Sequence, residues 1–229
     1  MKAIKLVSSA MLISTLCATA AFAAPSQLVN NGGFETGTLA GWSTTGLGTG
    51  ICPIANQEWN VSTTGTATGC TAVADPLGSA FAAYVQNDGT GPLTYKLSQS
   101  FGVAAGTVGG AFSFDLSSFN DADSGRTLNV SLTDEISLAS VTLYSASTTS
   151  LDASWQTLSG DISAFLAGAA GNSVLLSFDN FIPSTWTGPA GLGIDNVSIV
   201  ATVPEPASLA LFGLGLAGLA ASRRKQPKN

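Results

Sequence analysis

The chain has no histidine, and that absence removes the commonest general base, the commonest neutral metal ligand and the usual partner of a serine or cysteine nucleophile. Charge is scarce as well: Asp, Glu, Lys and Arg together make only 10% of the 229 residues, and helix formers such as Glu, Lys and Gln are correspondingly few. Between Ala24 and Val203 the only cations are Lys96 and Arg126, against 13 carboxylates, a net charge of −11. No basic stripe exists for a phosphate backbone, so nucleic acid is excluded as a partner; divalent cations and neutral polymers suit such a surface better. Long apolar runs are also missing, since none reaches the roughly 20 residues of a comfortable membrane span. What is plentiful is Gly, at 26 residues, with Ser and Thr, a composition that favours strands and turns. One folded domain between two terminal processing segments is the expectation.

Lys2 and Lys5 precede an apolar run from Val7 to Ala21, and Ala21-Phe22-Ala23 supplies the small-x-small pattern that signal peptidase accepts. Residues 1–23 therefore read as a signal peptide cut after Ala23; the alternative is a retained N-terminal helix. Cys17 follows the bulky Leu16, which departs from a lipoprotein pattern.

The other end, residues 203–229, reads Val203-Pro204-Glu205-Pro206, an apolar stretch from Ala207 to Ala221, then Ser222 and the basic Arg223-Arg224-Lys225. About 15 apolar residues rise only about 22 Å as a helix, short of the roughly 30 Å hydrocarbon core. A transient, enzyme-read anchor fits better than a permanent span, with the basic end cytoplasmic and the domain outside. These three elements in this order resemble the PEP-CTERM family of sorting tails. The resemblance implies export across the inner membrane of a Gram-negative bacterium and recognition by an exosortase. It further implies cleavage near Pro204-Glu205-Pro206 and delivery to the cell surface or an exopolysaccharide-rich biofilm matrix. A simple tail anchor is the alternative.

Residues 24–202 show short alternating segments separated by Gly, Asn, Asp, Ser and Pro, the signature of an antiparallel β-sandwich. Phe112, Phe114 and Leu116 share one face; Leu128, Val130 and Leu132, then Val141 and Leu143, then Val174, Leu176 and Phe178 repeat the pattern. Further strands are expected near 41–45, 59–63, 81–86, 94–101, 155–158 and 193–200, enough for a jelly roll. A short connecting helix is expected over 161–167, capped by Asp161 and stopped by Gly168. Cys52 and Cys70 remain after signal removal, and a disulfide closing their roughly 19-residue loop would add about 3 kcal/mol in the loop-entropy account; a pair of free thiols is the alternative.

Leu28-Val29-Asn30-Asn31-Gly32-Gly33-Phe34-Glu35 with Leu39-Ala40-Gly41-Trp42, and the closing Gly193-Ile194-Asp195-Asn196-Val197-Ser198-Ile199, resemble the two ends of galactose-binding-like jelly rolls, found in carbohydrate-binding modules and adhesion domains. Leu97-Ser98-Gln99-Ser100-Phe101 and Trp155 fit the same pattern. The resemblance implies a structural calcium ion held by Glu35 and Asp195, with Asn31 or nearby backbone carbonyls completing an oxygen cage. The bland alternative is that both carboxylates bond backbone amides around the turn.

Sugar recognition needs flat aromatic faces beside neutral amides and hydroxyls. Trp59, Tyr84 and Trp186 have that company in sequence, whereas Trp42 and Trp155 stand in motif positions expected to be buried. The leading functional expectation is a non-catalytic module that binds glycans or scaffolds the matrix. A carboxylate-dependent glycan-cleaving enzyme, for which Asp115, Asp134, Glu135 or Asp179 would be nominated, is the second. A matrix filler without a specific ligand is the third.

Overall fold

The computed structural model describes residues 25–46, 59–65, 73–120, 125–147, 154–184 and 186–205, with Phe212, Gly213, Gly215, Leu216 and Leu219; the side chains of 86–90, 120 and 186–189 are outside that description. The signal segment, Cys52, Cys70, Pro206, Arg223, Arg224 and Lys225 all lie outside the described residues. One compact unit runs Ala23–Pro204; the other comprises Met1–Phe22 and Glu205–Asn229. Among the described residues no helix is long and apolar enough to cross a membrane.

The period-2 patterning produces eleven strands among the described residues. They are β1 (Ser26–Gln27), β2 (Ser43–Thr45), β3 (Asn60–Ser62), β4 (Ala82–Thr90), β5 (Leu93–Gly102), β6 (Gly109–Asn120), β7 (Thr127–Asp134), β8 (Ser140–Ser147), β9 (Gln156–Asp161), β10 (Ser173–Ile182) and β11 (Trp186–Thr202). A single helical turn and a half, α1 (Ser163–Gly168), joins β9 to β10. All pairings are antiparallel and build two sheets, one ordered β3-β4-β11-β6-β9 and the other β2-β5-β10-β7-β8. The two-residue β1, which no alternation in the sequence signals, pairs with β11 at Ala201 and Val200. The architecture is an antiparallel β-sandwich of the jelly-roll type.

The expected inward ranks meet between the sheets. Leu97, Leu128, Val130, Leu132, Val174, Leu176, Phe178 and Ile194 are all at or below 1% exposed. Phe178 sits at the centre: its ring lies 5.3 Å from that of Phe114, edge-on, and 6.2 Å from Trp42. A bulge between Asp195 and Ser198, with Asn196 at φ 50°, resets the alternation of β11. Ile194, Val197 and Ile199 therefore all face the core between the sheets, while Asp195, only 1% exposed, and the half-buried Ser198 take the opposite side of the strand.

Two features depart from the sequence expectation. Asp161 does not cap the helix: Ile162 holds the N-cap position without a side-chain bond, and Asp161 instead accepts the amide of Ser163 at 2.8 Å. Arg126, one of the domain's two cations, is 1% exposed, at the inward-facing parity of β7, where Tyr95 and Asn180 are also buried. Burial pushes the Tyr95 phenol up to about 12, against the opposing pull of the Arg126 charge.

Candidate functional site

The outer face of the five-stranded sheet follows from the same alternation. Where Phe178 and Asn180 point in, Ser177, Asp179 and Phe181 point out. The pairing register aligns them with Ser98, Lys96 and Thr94 on β5 and with Ser131, Asn129 and Thr127 on β7. The rows continue to Ser43 and Thr45 on β2 and to Thr142, Ser145 and Ser147 on β8. The result is a sheet face rich in hydroxyls and amides, interrupted by Leu175 and with Ser98 and Ser177 themselves buried. Lys96 and Asp179 form an ion pair on it, Nζ to Oδ1 at 3.4 Å, and Ser177 donates to the same Asp179 oxygen. Phe181 stands on this surface 39% exposed. Sequence reasoning missed it, although extending the Val174-Leu176-Phe178 alternation by three residues places it outward.

The outer face of the six-stranded sheet is instead covered by the segment from Val73 to Phe81. Tyr84 donates its hydroxyl to the Ala74 carbonyl at 3.0 Å, Trp155 its indole N–H to Asp75 at 2.6 Å, and the Ala74 amide bonds Ser117 at 3.3 Å. Val73, Ala82, Tyr84, Phe119 and Trp155 close a small second apolar cluster beneath that cover. Burial, helped by the Asp75 and Asp195 charges, pushes the Tyr84 phenol far above its ordinary value.

Four of the five expected aromatics can be placed. Trp42 is buried, as expected. Trp155 is half-buried on the outer cluster rather than in the main core. Trp59 is 3% exposed, packed in the main core, and Tyr84 2%, beneath the covering segment, so neither offers a ring face to a sugar; strand parity cannot reveal that a loop folds back over Tyr84. The Trp186 backbone begins β11, and its side chain lies outside the described ones.

Glu35 and Asp195 do converge. A Cβ on Gly33 would lie 3.8 Å from Glu35 Cγ and 4.0 Å from Asp195 Oδ1. Glu35 accepts the amides of Ala80 and Phe81 at 3.1 and 3.2 Å, while Asp195 accepts the Ser79 hydroxyl at 2.6 Å and the Asn196 amide at 2.7 Å. These are the backbone bonds of the bland alternative. They still leave carboxylate lone pairs over for a hard cation. Asn31 is bonded within its own turn: its amide donates to the carbonyls of Thr38 and Ala40 and its oxygen accepts from Thr36. Desolvation of the buried Asp195 raises its pKa, with smaller upward pushes from Asp115 and Glu35. Among the described residues no group of three or more His, Cys, Asp or Glu side chains is placed to hold a metal.

Each of the four carboxylates nominated for hydrolysis is engaged by a polar partner. Asp115 bonds Thr157 and Asn196, Asp134 bonds Ser137 and Asn172, Glu135 bonds Ser100 and Ser173, and Asp179 pairs with Lys96. Ser137 and Asn172, with the amide of Ile136, hold the Asp134 carboxyl down at about 2.

Comparison with known proteins adds two findings. Residues 202–225 match the PEP-CTERM protein-sorting motif, which marks an exported protein sorted by an exosortase. No curated protein matches the chain. Among solved structures, TmCBM61 in complex with β-1,4-galactotriose shares 15% identity at a TM-score of 0.50, covering 76% of this chain and 97% of that one. A Stig cyclase from Fischerella sp. TAU shares 16% at 0.50, covering 78% and 98%. The K3 adhesin domain of Lys-gingipain from Porphyromonas gingivalis shares 16% at 0.48, covering 76% and 99%. At identities this low, the two matches at 0.50 show a common fold and nothing finer.

Proposed function

We propose that the chain is a non-catalytic, exosortase-sorted module of the Gram-negative cell surface or biofilm matrix, and that it binds exopolysaccharide through the outer face of its five-stranded sheet. The observation that carries this reading is the pairing of an exposed Phe181 with ranks of Ser, Thr and Asn on neighbouring strands. A pyranose ring stacks its C–H surface on an aromatic face and satisfies its hydroxyls on neutral donors and acceptors. Without histidine and with every nominated carboxylate engaged, the face has the parts for retention rather than cleavage. Glu35 and Asp195 would hold a structural calcium ion that neutralises the charge buried beneath Ser79.

The test is glycan-array binding by the chain from Ala24 onward, with and without a chelator, beside incubation with the producer's own exopolysaccharide. Retention without new reducing ends is expected. New reducing ends would establish the enzyme instead, and neither result would leave a filler.

A further inference from the structure

The sandwich has one end that the sorting tail must hold close to a membrane. β11 stays paired to its last residue, where Thr202 aligns with Gly109 and its carbonyl accepts the Val108 amide at 2.9 Å. The apolar tail segment begins at Ala207. Five Cα-to-Cα steps separate Thr202 from Ala207, no more than about 17 Å of extended chain. Pro204 and Pro206 stiffen that stretch. When the tail is inserted, that short tether keeps the β11 exit end within reach of the lipid headgroups.

Hydrogen bonds identify what else lies at that end. Val103 donates to the Asn172 carbonyl at 2.9 Å and Asn172 donates to Asp134 at 2.8 Å. Glu135 donates its amide to the Ser173 carbonyl at 2.9 Å. The β7–β8 tip from Asp134 to Ala139 is thus joined to the same set of loops as Val108. Its side chains are unusual for a turn: Ile136 is 72% exposed and Leu138 75%, while Val108 is 49% exposed. Leu138 occupies the left-handed region at φ 60°, which favours glycine or asparagine. The tip is nevertheless tied down by its own hydrogen bonds. Asp134 Oδ1 accepts the amides of Ile136 and Ser137 at 2.9 and 3.2 Å, and its Oδ2 accepts the Ser137 hydroxyl at 2.7 Å. Beside it a cleft of about 190 Å³ runs to Ala164, Phe165 and Gly168 on α1. Lys96 and Arg126 both belong to other parts of the sandwich, so no domain cation serves this end for attraction to acidic lipid.

We infer that Val108, Ile136 and Leu138 form an apolar foot that dips into the bilayer interface while the tail is inserted, presenting the Val203-Pro204-Glu205 entrance at the membrane surface. The contact is apolar and shallow, of the monotopic kind, so it takes zwitterionic lipid and is indifferent to salt. This inference rests on the sorting reading of the tail.

The test reconstitutes the full mature chain, tail retained, into phosphatidylcholine vesicles carrying nitroxide-labelled lipids. A fluorophore is placed in turn at Leu138→Cys, Pro92→Cys and Phe212→Cys; the unsubstituted chain, taken through the same labelling, gives the blank for Cys52 and Cys70. Pro92, exposed in the β4–β5 turn, marks the opposite end of the sandwich. Shallow nitroxides should quench the Leu138 label several-fold more than the Pro92 label, equally at low and high salt, while deep nitroxides quench the Phe212 label. Equal, weak quenching at positions 138 and 92 with a deeply quenched 212 label would overturn the foot and leave the inserted tail standing. An unquenched 212 label would overturn insertion itself and the foot with it. A 138 label shielded from aqueous iodide but untouched by lipid nitroxides would mean contact with a second copy, which also overturns the inference.

Discussion

Lys96 and Asp179 stand directly opposite one another on β5 and β10, and their side chains meet at 3.4 Å on the hydroxyl-rich outer face of the five-stranded sheet. The two side chains are 34% and 27% exposed, so solvent screens the pair. Replacing Lys96 by Met should cost less than about 1 kcal/mol in urea unfolding. Its larger effect should be on the sheet face, where Asp179 would be left uncompensated and retention of neutral glycan would weaken.

Phe181 separates binding from stability. Because its ring is already partly in water, Phe181→Ala should leave the unfolding midpoint nearly unchanged. Loss of one stacking contact is worth about 1 kcal/mol, roughly a fivefold loss in affinity, measurable by affinity electrophoresis in the producer's polysaccharide.

Phe178, three residues earlier and inward, behaves in the opposite way. Enclosed by Phe114 and Trp42 and fully buried, it should cost about 3–5 kcal/mol when changed to Ala. Calorimetry on the two variants side by side reads the parity of β10 directly.

Asp134 gives a pH signature. Its native pKa of about 2 lies below the unfolded value of 3.8, so its contribution is present above 3.8 and disappears as pH falls through about 2. Urea midpoints should therefore decline between pH 4 and pH 2. Asp134→Asn should start lower at neutral pH and flatten that slope.

Asp195 has the reverse sign. Its native pKa is raised, chiefly by burial, so without a cation stability falls as pH rises from the unfolded carboxyl value towards the native one. A bound calcium ion would neutralise that charge. The melting temperature in calcium should exceed that in chelator, and the gap should widen with pH across this window. Coincident melting curves at every pH would remove Glu35 and Asp195 as ligands.

The sandwich itself was legible because period-2 alternation reports each strand without knowledge of its neighbours: β6, β7 and β10 follow directly from Phe114, Leu128 and Val174 and their partners. The same logic puts Trp42 inside. Covering loops are not local in this sense. Val73 to Phe81 folds back over Tyr84 through bonds to Ala74 and Asp75, and nothing in the pattern around Tyr84 distinguishes a covered outer face from a bare one. Arg126 was unreadable for a related reason: an inward cation violates the polar-out expectation, and only tertiary surroundings can sustain it. Phe181 was readable and overlooked, since a turn-adjacent aromatic invites assignment to the core.

The central claim, a non-catalytic glycan face on the five-stranded sheet, is met most directly by amide hydrogen exchange of the mature chain with and without its exopolysaccharide. The account predicts added protection on β5, β7 and β10 around Lys96, Asn129 and Phe181, with the polymer recovered at unchanged length. Protection confined to the six-stranded sheet, or a shortened polymer, would contradict it.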